Sequence, residues 1–448
     1  MKRRKFILDS AGVSLGIFLS PSMLLSSCGN RELFEESNFK GTVLIIGAGA
    51  AGLYAGYILK SRGIDFKIIE ASNKIGGRIG KLSSFSDLPL DTGAQWLHGK
   101  NSIVGELIQK TKTKISKDNS DVVFWYQNKL VDSLPQDVES LFQEGDGLPD
   151  VSFKDYATQN GFGTKYDFIV EGIAGDQGAD ANLLSVAENF REEKHWTSGE
   201  HDYKFHKTYS DLFTDHIVPE VVENVILNAP ISKIDYSANQ ISASDNQGNT
   251  YRGNKVIITV PITILQDGDI EFIPPLHPSK KQAFDKIGMG AGMKVFLKFS
   301  ESFYDENIIG GEVCAAYTDE KEGKDGNDNI LLAFVMGHQA ENLTALGSDE
   351  AIAQALLAEL DEMYKGQASQ FFLDAHVEDW TSKPFVRGAY SYSTIGIGNS
   401  RSISAQTVSN KLFFAGEAMN LNGHHQTVHG AVETAYREVS NILKSVSE

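Results

Sequence analysis

Hydrophobic positions along the chain fall into three patterns, and each predicts a kind of element. The first is a short, unbroken apolar run. Thr42-Val43-Leu44-Ile45-Ile46 is one, rich in β-branched residues, and reads as a strand buried on both faces. A helical pattern follows through Leu53, Tyr57, Ile58 and Leu59; Gly63 ends it, and a second strand runs from Asp65 to Glu70. Lys255-Val256-Ile257-Ile258-Thr259-Val260 is another buried strand, stopped by Pro261, and Leu412-Phe413-Phe414-Ala415 is one more. The second pattern alternates. From Lys294 onward Val295, Leu297 and Phe299 share one face, while Lys294, Phe296 and Lys298 share the other. A similar stretch runs from Ile231 to Tyr251, with Asn246-Gln247-Gly248-Asn249 as a turn. The third pattern is the amphipathic helix, at 350–364 with Ala, Leu and Met on one side, read as core or lid, and again from Thr427 through Tyr436, Val439 and Ile442. Residues 100–220 carry mixed helical patterns and the aromatic cluster Phe124, Trp125, Tyr126, but no chemical motif.

The fold class predicted from these elements is α/β. The 448 residues, 41% apolar and 22% charged, are enough for two or three domains at roughly 150 residues each. Lys plus Arg number 41 against 59 Asp plus Glu, a net charge of −18, so nucleic acid is excluded as a partner on charge. An acidic field favours cationic small molecules. The two cysteines, Cys28 and Cys314, are too few for a disulfide framework or a cysteine zinc site.

The N-terminus reads as an address. MKRRKFIL precedes a moderately apolar stretch interrupted by Asp9, Gly12, Gly16 and Pro21, which makes a poor membrane-spanning helix. Arg3-Arg4-x-Phe6 resembles a twin-arginine signal, and Leu25-Ser26-Ser27-Cys28 resembles a bacterial lipobox. The expectation is a signal peptide over 1–27, a polar tether over 28–39, and an exported protein. It would be periplasmic or a membrane-anchored lipoprotein facing outside the cytoplasm, touching the membrane only through lipid on Cys28. The other reading is an N-terminal anchor, or a cysteine there by chance.

Between the first strand and its helix lies Gly47-Ala48-Gly49-Ala50-Ala51-Gly52. Gly47 permits a tight turn, Gly49 lets backbone approach a pyrophosphate, Gly52 lets helix and strand pack closely, and the helix start faces the anion. Glu70 closes the second strand, where a carboxylate accepts ribose hydroxyl protons. Strand, glycines, helix, strand and acid together predict a dinucleotide site; the alternative is a Gly-rich turn in an ordinary βαβ unit. Gly76-Gly77-Arg78 then supplies another backbone approach and a guanidinium suited to a diphosphate. The stretch Leu90-Asp91-Thr92-Gly93-Ala94-Gln95-Trp96-Leu97-His98-Gly99 follows.

These motifs, with the lysine region at 283–299 and the block Phe414-Ala415-Gly416-Glu417 … Thr427-Val428-His429-Gly430-Ala431, resemble the flavin-containing amine oxidase family from residue 40 to 445. The resemblance implies FAD rather than NAD. It implies a Rossmann-like FAD-binding domain that is discontinuous (40–115, 220–275 and 385–448) and a mixed-sheet plus helix substrate domain (116–219 and 276–384). Ala51 belongs to the glycine turn, backbone near Val225 touches the adenine end, and Trp380 opens the segment that runs beside the flavin ring. Glu417 and the adjoining Gly416 bind the ribityl–diphosphate portion, and the helix start at Thr427 and Val428 faces the flavin's pyrimidine end, where its partial positive charge stabilises a reduced ring. Lys294, by its residues alone either a solvated strand end or a functional group, matches the family lysine that holds a water at the flavin and assists reoxidation by dioxygen. Tyr390 stands where some members place a cysteine bonded to flavin, so the FAD is expected to be noncovalent. Tyr390 is either an aromatic wall of the substrate site or an ordinary strand tyrosine.

Thr427 replaces the second aromatic wall, and Trp96-Leu97-His98 resembles the animal polyamine oxidases, where the histidine faces the amine; His98 could equally be a satisfied core histidine. The implied activity is hydride transfer from the α-carbon of an amine, a polyamine first, with imine hydrolysis and hydrogen peroxide formed from dioxygen. Alternatives are an L-amino-acid oxidase, with Arg387 as a candidate carboxylate partner, a flavin-dependent dehydrogenase or desaturase using another acceptor, and a noncatalytic FAD-bound module. His424, His425 and His429 lie in the block that the resemblance already explains, and no metal is expected.

Overall fold

Short apolar runs from distant parts of the chain meet in one parallel sheet. Its order is Val225–Ile226, Asp65–Ile69, Thr42–Ile46, Lys255–Ile258, Leu412–Phe414. The computed structural model describes residues 39–135, 138, 141, 147–304 and 307–445; the expected signal peptide, the lipobox at Cys28 and the tether up to Asn38 lie outside the described residues. The central strands lack polar alternation because both faces of the sheet are covered. On one side Val43 and Ile45 join Leu53, Ile58 and Leu59 of the helix Ala50–Ser61 and Val432, Val439 and Ile442 of the last helix, Val428–Lys444. On the other, Leu44, Ile46, Val256 and Phe414 pack with a four-stranded sheet. That sheet is the alternating stretch, folded as Ile231–Asp235, Ile241–Asp245 and Thr250–Gly253, with Glu271–Ile273 added at its edge.

A second large sheet has seven strands, in the order Phe372–Asp379, Gly292–Phe299, Asn329–Met336, Ala316–Asp319, Asn307–Ile309, Val122–Tyr126, Lys129–Val131. All its pairings are antiparallel except that of Asn307–Ile309 with Val122–Tyr126. The alternation read from Lys294 is present: Val295, Leu297 and Phe299 face Leu356, Leu357 and Leu360 of the helix Asp349–Tyr364. That helix is therefore core on the sheet's far side and not a lid. Ser348 caps its start, accepting from the Ala351 N–H at 3.2 Å.

The middle of the chain is shared between these two bodies. Asp202–Phe205 pairs with both Trp96–His98 and Ile115–Lys117. Phe205, Tyr209, Leu212, Phe213 and Ile217 then enter the core of the parallel sheet. The chain thus rejoins that core before residue 220, where the expected boundary was drawn, because this segment hides its aromatic residues against the first helix layer. Among the described residues no helix is long and apolar enough to cross a membrane.

Candidate active site

The first helix begins where the glycine turn ends, capped by Gly49, with no side chain bonded to its leading N–H groups and no acid in its first turn. Those donors stay available to an anion. Gly47 lies at φ 107° and its N–H donates to the Ile69 carbonyl at 2.8 Å. Gly52 faces away from the cavity; a Cβ there would stand 1.9 Å from the Gly47 carbonyl oxygen, so only glycine lets the helix approach. The Gly76–Gly77 turn packs onto this one, with the Gly76 N–H donating to the Ala48 carbonyl at 2.9 Å. Glu70 ties both together. It accepts from the Ala48 N–H at 2.7 Å, the Ser72 N–H at 2.9 Å and the Ser72 hydroxyl at 2.8 Å. About one of the roughly four acceptor positions of a carboxylate remains for a ribose hydroxyl.

Glu417 differs from its expected role as a direct ligand of the ribityl–diphosphate portion. Its carboxylate is filled by this chain's own donors: Arg78 Nη1 at 3.0 Å, the Ser391 N–H at 3.2 Å, the Ser391 hydroxyl at 2.7 Å and the Gln426 N–H at 2.9 Å. Burial pushes its carboxyl up, but Arg78, the bonds from Ser391 and Gln426, and Arg401 outweigh that and hold it below the ordinary range. Glu417 thus locks the Arg78 turn to the C-terminal block. Arg78 also donates to the Ala389 carbonyl at 2.8 Å.

Thr427 is likewise committed. Its hydroxyl donates to the His424 carbonyl at 2.7 Å and accepts from the Gly430 N–H at 2.9 Å, so it caps the last helix rather than offering a polar group to a substrate. Val225 departs further. It sits on the edge strand beside Ile68, packed on the core, and the cavity wall there is formed by Asn228, Ala229, Pro230 and Ser232. The strand ends at Ile226, and the chain folds over Glu70 with the Ala229 N–H bonded to the Glu70 carbonyl at 2.9 Å.

Opposite the cradle, one rung of the seven-stranded sheet forms the other wall. Glu378, Lys294, Phe334, Ala316 and Ile309 are cross-strand neighbours in register, and all five line the cavity. Lys294 is 4% exposed; its ammonium donates to the Asp91 carbonyl at 2.9 Å and to the Gln95 side-chain oxygen. Burial draws Lys294 down to about 8, against the pull of Glu320 and Asp91. The Trp96 ring lies 5.7 Å from the same ammonium and meets Phe334 edge-on at 6.0 Å, with its indole N–H donated to Asp118 at 2.8 Å.

His98 stands opposite Asp202 across the strand pair, and its Nδ1 lies 2.9 Å from that carboxylate. A carboxylate only accepts, so Nδ1 carries a proton, and in the neutral imidazole Nε2 is the acceptor. Tyr390 is anchored by its hydroxyl to the carbonyls of Gly175 at 3.3 Å and Asp176 at 3.1 Å, its ring filling the space a Cβ at Gly178 would occupy. Trp380 donates its indole N–H to the Thr92 carbonyl at 2.8 Å.

A single cavity of about 1410 Å³ joins these parts. Of the residues singled out in sequence, Gly47, Gly49, Ala51, Glu70, Gly76, Gly77, Arg78, Trp96, His98, Lys294, Trp380, Tyr390, Gly416, Glu417, Thr427 and Val428 line it; Gly52 and Val225 do not. The cavity is long enough to run from Glu70 to Lys294, and exceeds the roughly 300–1,000 Å³ of a pocket for one small ligand. Glycine turns, the start of the helix Val428–Lys444 and aromatic walls, all lining one cavity, fit FAD with room left for a substrate. Among the described residues the cysteine is Cys314, buried on the far face of the sheet. Sequence reading missed Gln95, Asp91, Glu320 and Lys324 behind Lys294. Gln95 and Asp91 were in a quoted motif, but nothing in the run Asp319-Glu320-Lys321-Glu322-Gly323-Lys324 distinguishes it from a solvated loop.

The pattern of the flavin containing amine oxidoreductases matches residues 50–157 and 211–443. The chain is similar to human lysine-specific histone demethylase 2, 26% identical over 94% of this chain and 55% of that one. It is also similar to probable polyamine oxidase 4 of Arabidopsis thaliana, 24% identical over 92% of this chain and 89% of that one. The chain thus spans about half the length of the demethylase. In fold it is similar to putrescine oxidase, solved with putrescine bound, with a TM-score of 0.76 at 20% identity over 91% of this chain and 99% of that one. The chain belongs to the flavin containing amine oxidoreductase family, and its cofactor is FAD.

Proposed function

We propose that this flavin containing amine oxidoreductase oxidises a cationic amine, a polyamine foremost, at the carbon beside nitrogen. The observation that carries the reading is the buried ammonium of Lys294, set in the wall of the same cavity into which the glycine cradle opens. Held by the glycine turns, Arg78 and the start of the helix at Val428, FAD would supply a two-electron acceptor for hydride from that carbon, with dioxygen as the final oxidant giving hydrogen peroxide and water cleaving the imine.

The chain's own residues do the rest. Phe334, Ala316 and Ile309 give the cavity an apolar side for a methylene chain, and Trp96 and Tyr390 add aromatic surface that excludes water and attracts cations. Glu171, Asp176 and Asp202 line the same space and favour positive charge, as does the net charge of −18. A protonated amine must lose a proton before its α-carbon can give up hydride; His98 Nε2 is an acceptor for it, with Asp202 stabilising the resulting imidazolium. The likeness to a polyamine oxidase and to putrescine oxidase supports an aliphatic amine as substrate. The amino-acid reading needs a free cation for a carboxylate. Its candidate, Arg387, lies off the cavity and pairs with Asp269 at 2.7 Å and Asp267 at 3.3 Å. The N-terminal residues support export and a lipid anchor at Cys28.

Anaerobic mixing with spermine, spermidine, tyramine or tryptophan tests this. Bleaching of the flavin by the polyamines, with peroxide released on admitting air, is expected. Bleaching by tryptophan alone would replace the polyamine with an amino acid, and no bleaching by any amine would refute amine oxidation.

A further inference from the structure

Behind Lys294 runs a line of buried polar groups that the proposed reaction does not use. The Lys294 ammonium donates to Gln95 Oε1, and Gln95 Nε2 donates to Glu320 Oε1 at 3.0 Å. Glu320 Oε2 accepts from Lys324 Nζ at 2.6 Å, with the two side chains 1% and 4% exposed. The order is cation, amide, anion, cation. The Gln95 amide can sit only one way round, because a flip would aim its NH2 at an ammonium and its oxygen at a carboxylate. Burying such a line costs desolvation that apolar residues of the same size would not incur. Its position, directly backing the lysine of the cavity wall, points to a role in that lysine's chemistry.

We propose that Gln95, Glu320 and Lys324 are positioning residues that fix where the Lys294 ammonium points and how readily it releases its proton. The proposal rests on the reading above, in which Lys294 serves the flavin. The charges around Lys294 come from several elements. Asp91, on the strand Leu90–Asp91, has its carboxylate held by the Tyr209 N–H at 3.0 Å; burial carries that carboxyl up to about 7. Glu320 and Lys324 come from the segment after Ala316–Asp319, and Glu378 on the neighbouring strand is paired with Lys383 at 2.9 Å. Glu320 and Asp91 favour the charged lysine, while Lys324 opposes it. Burial works against the Glu320 anion, yet Lys324 and Lys294, with help from Lys204, hold it at about 2, so it stays charged at any working pH.

The visible absorption of oxidised flavin in the FAD-loaded enzyme, followed from pH 6 to 10, provides the readout; the part lost in Lys294→Met reports this lysine. Glu320→Gln removes the anion and should lower the midpoint by about one pH unit, Lys324→Met removes the cation and should raise it by a similar amount, and the double variant should fall between. Gln95→Glu sets an anion against the ammonium and should raise the midpoint, which keeps the test available if the Glu320 variant does not fold. Loss of packing alone cannot move the single variants in opposite directions. Midpoints that stay put or shift together in variants that bind FAD and oxidise amines would overturn the relay and leave amine oxidation standing. A wild-type titration with no part that depends on Lys294 would overturn the relay and the flavin role of Lys294 together.

Discussion

Glu417→Gln isolates the joint between the Arg78 turn and the C-terminal block. The carboxylate accepts four hydrogen bonds, two of them from Ser391, one from Gln426 and one from Arg78. Glutamine keeps the shape but has a single acceptor oxygen, so its NH2 must face donors. The bond to Arg78 is charge-assisted and is worth about 1.5–3 kcal/mol, and each buried donor left unpaired adds about 1–3 kcal/mol. Arg78 is 25% exposed, so water recovers part of its loss. A net cost of about 4 kcal/mol results, equivalent to a fall in melting temperature of roughly 4 °C, because an unfolding entropy of about 2.1 cal/mol/K per residue sums to about 0.9 kcal/mol/K over this chain. The sign with pH is fixed by the native carboxyl lying below its unfolded value: Glu417 contributes its full stability above an unfolded pKa of about 4.3, and loses it as pH falls through the lower native pKa. The variant, which does not titrate there, should therefore lag the parent most at neutral pH and approach it in acid. Differential scanning calorimetry of both proteins stripped of FAD, at pH 7 and pH 4, measures this. A neutral-pH difference under about 2 °C, or one that widens in acid, would refute the account of Glu417 as a lock.

Lys294→Met should retain FAD yet slow steady-state turnover with a polyamine by about 100-fold or more, since removing one oriented charge at a reacting centre costs that much; stopped-flow and equilibrium dialysis separate the two effects. Gly52→Ala forces a Cβ to within 1.9 Å of the Gly47 carbonyl, so the protein should purify colourless or unfolded, and a yellow, stable variant would contradict the packing. Cys28→Ser should move the protein from the membrane fraction to the soluble fraction of an expressing bacterium, because a lipid chain would be its attachment; unchanged fractionation argues against the anchor.

The chain's local pattern was sufficient wherever one element faces one kind of environment. The run at 42–46 is apolar without alternation because both its faces are covered, and its glycines are spaced by the packing of a helix on that strand, so a nucleotide-binding unit was legible. The alternation from Lys294 likewise carried its own answer about faces. What could not be read was any property set by groups far apart in sequence. Lys294 gains its surroundings from Asp91, Gln95 and Glu320, which the segment 91–95 and a charged loop bring to it. Glu320 and Lys324 look like solvated residues until the fold removes water from both. Glu417 and Thr427 kept their place beside the cavity, but their hydrogen bonds go to the chain itself, and Val225 turned inward where the backbone crosses Glu70. Periodicity records which side of an element is buried, whereas the partner of a buried charge is chosen by contacts between elements, and these exist only once the chain has folded.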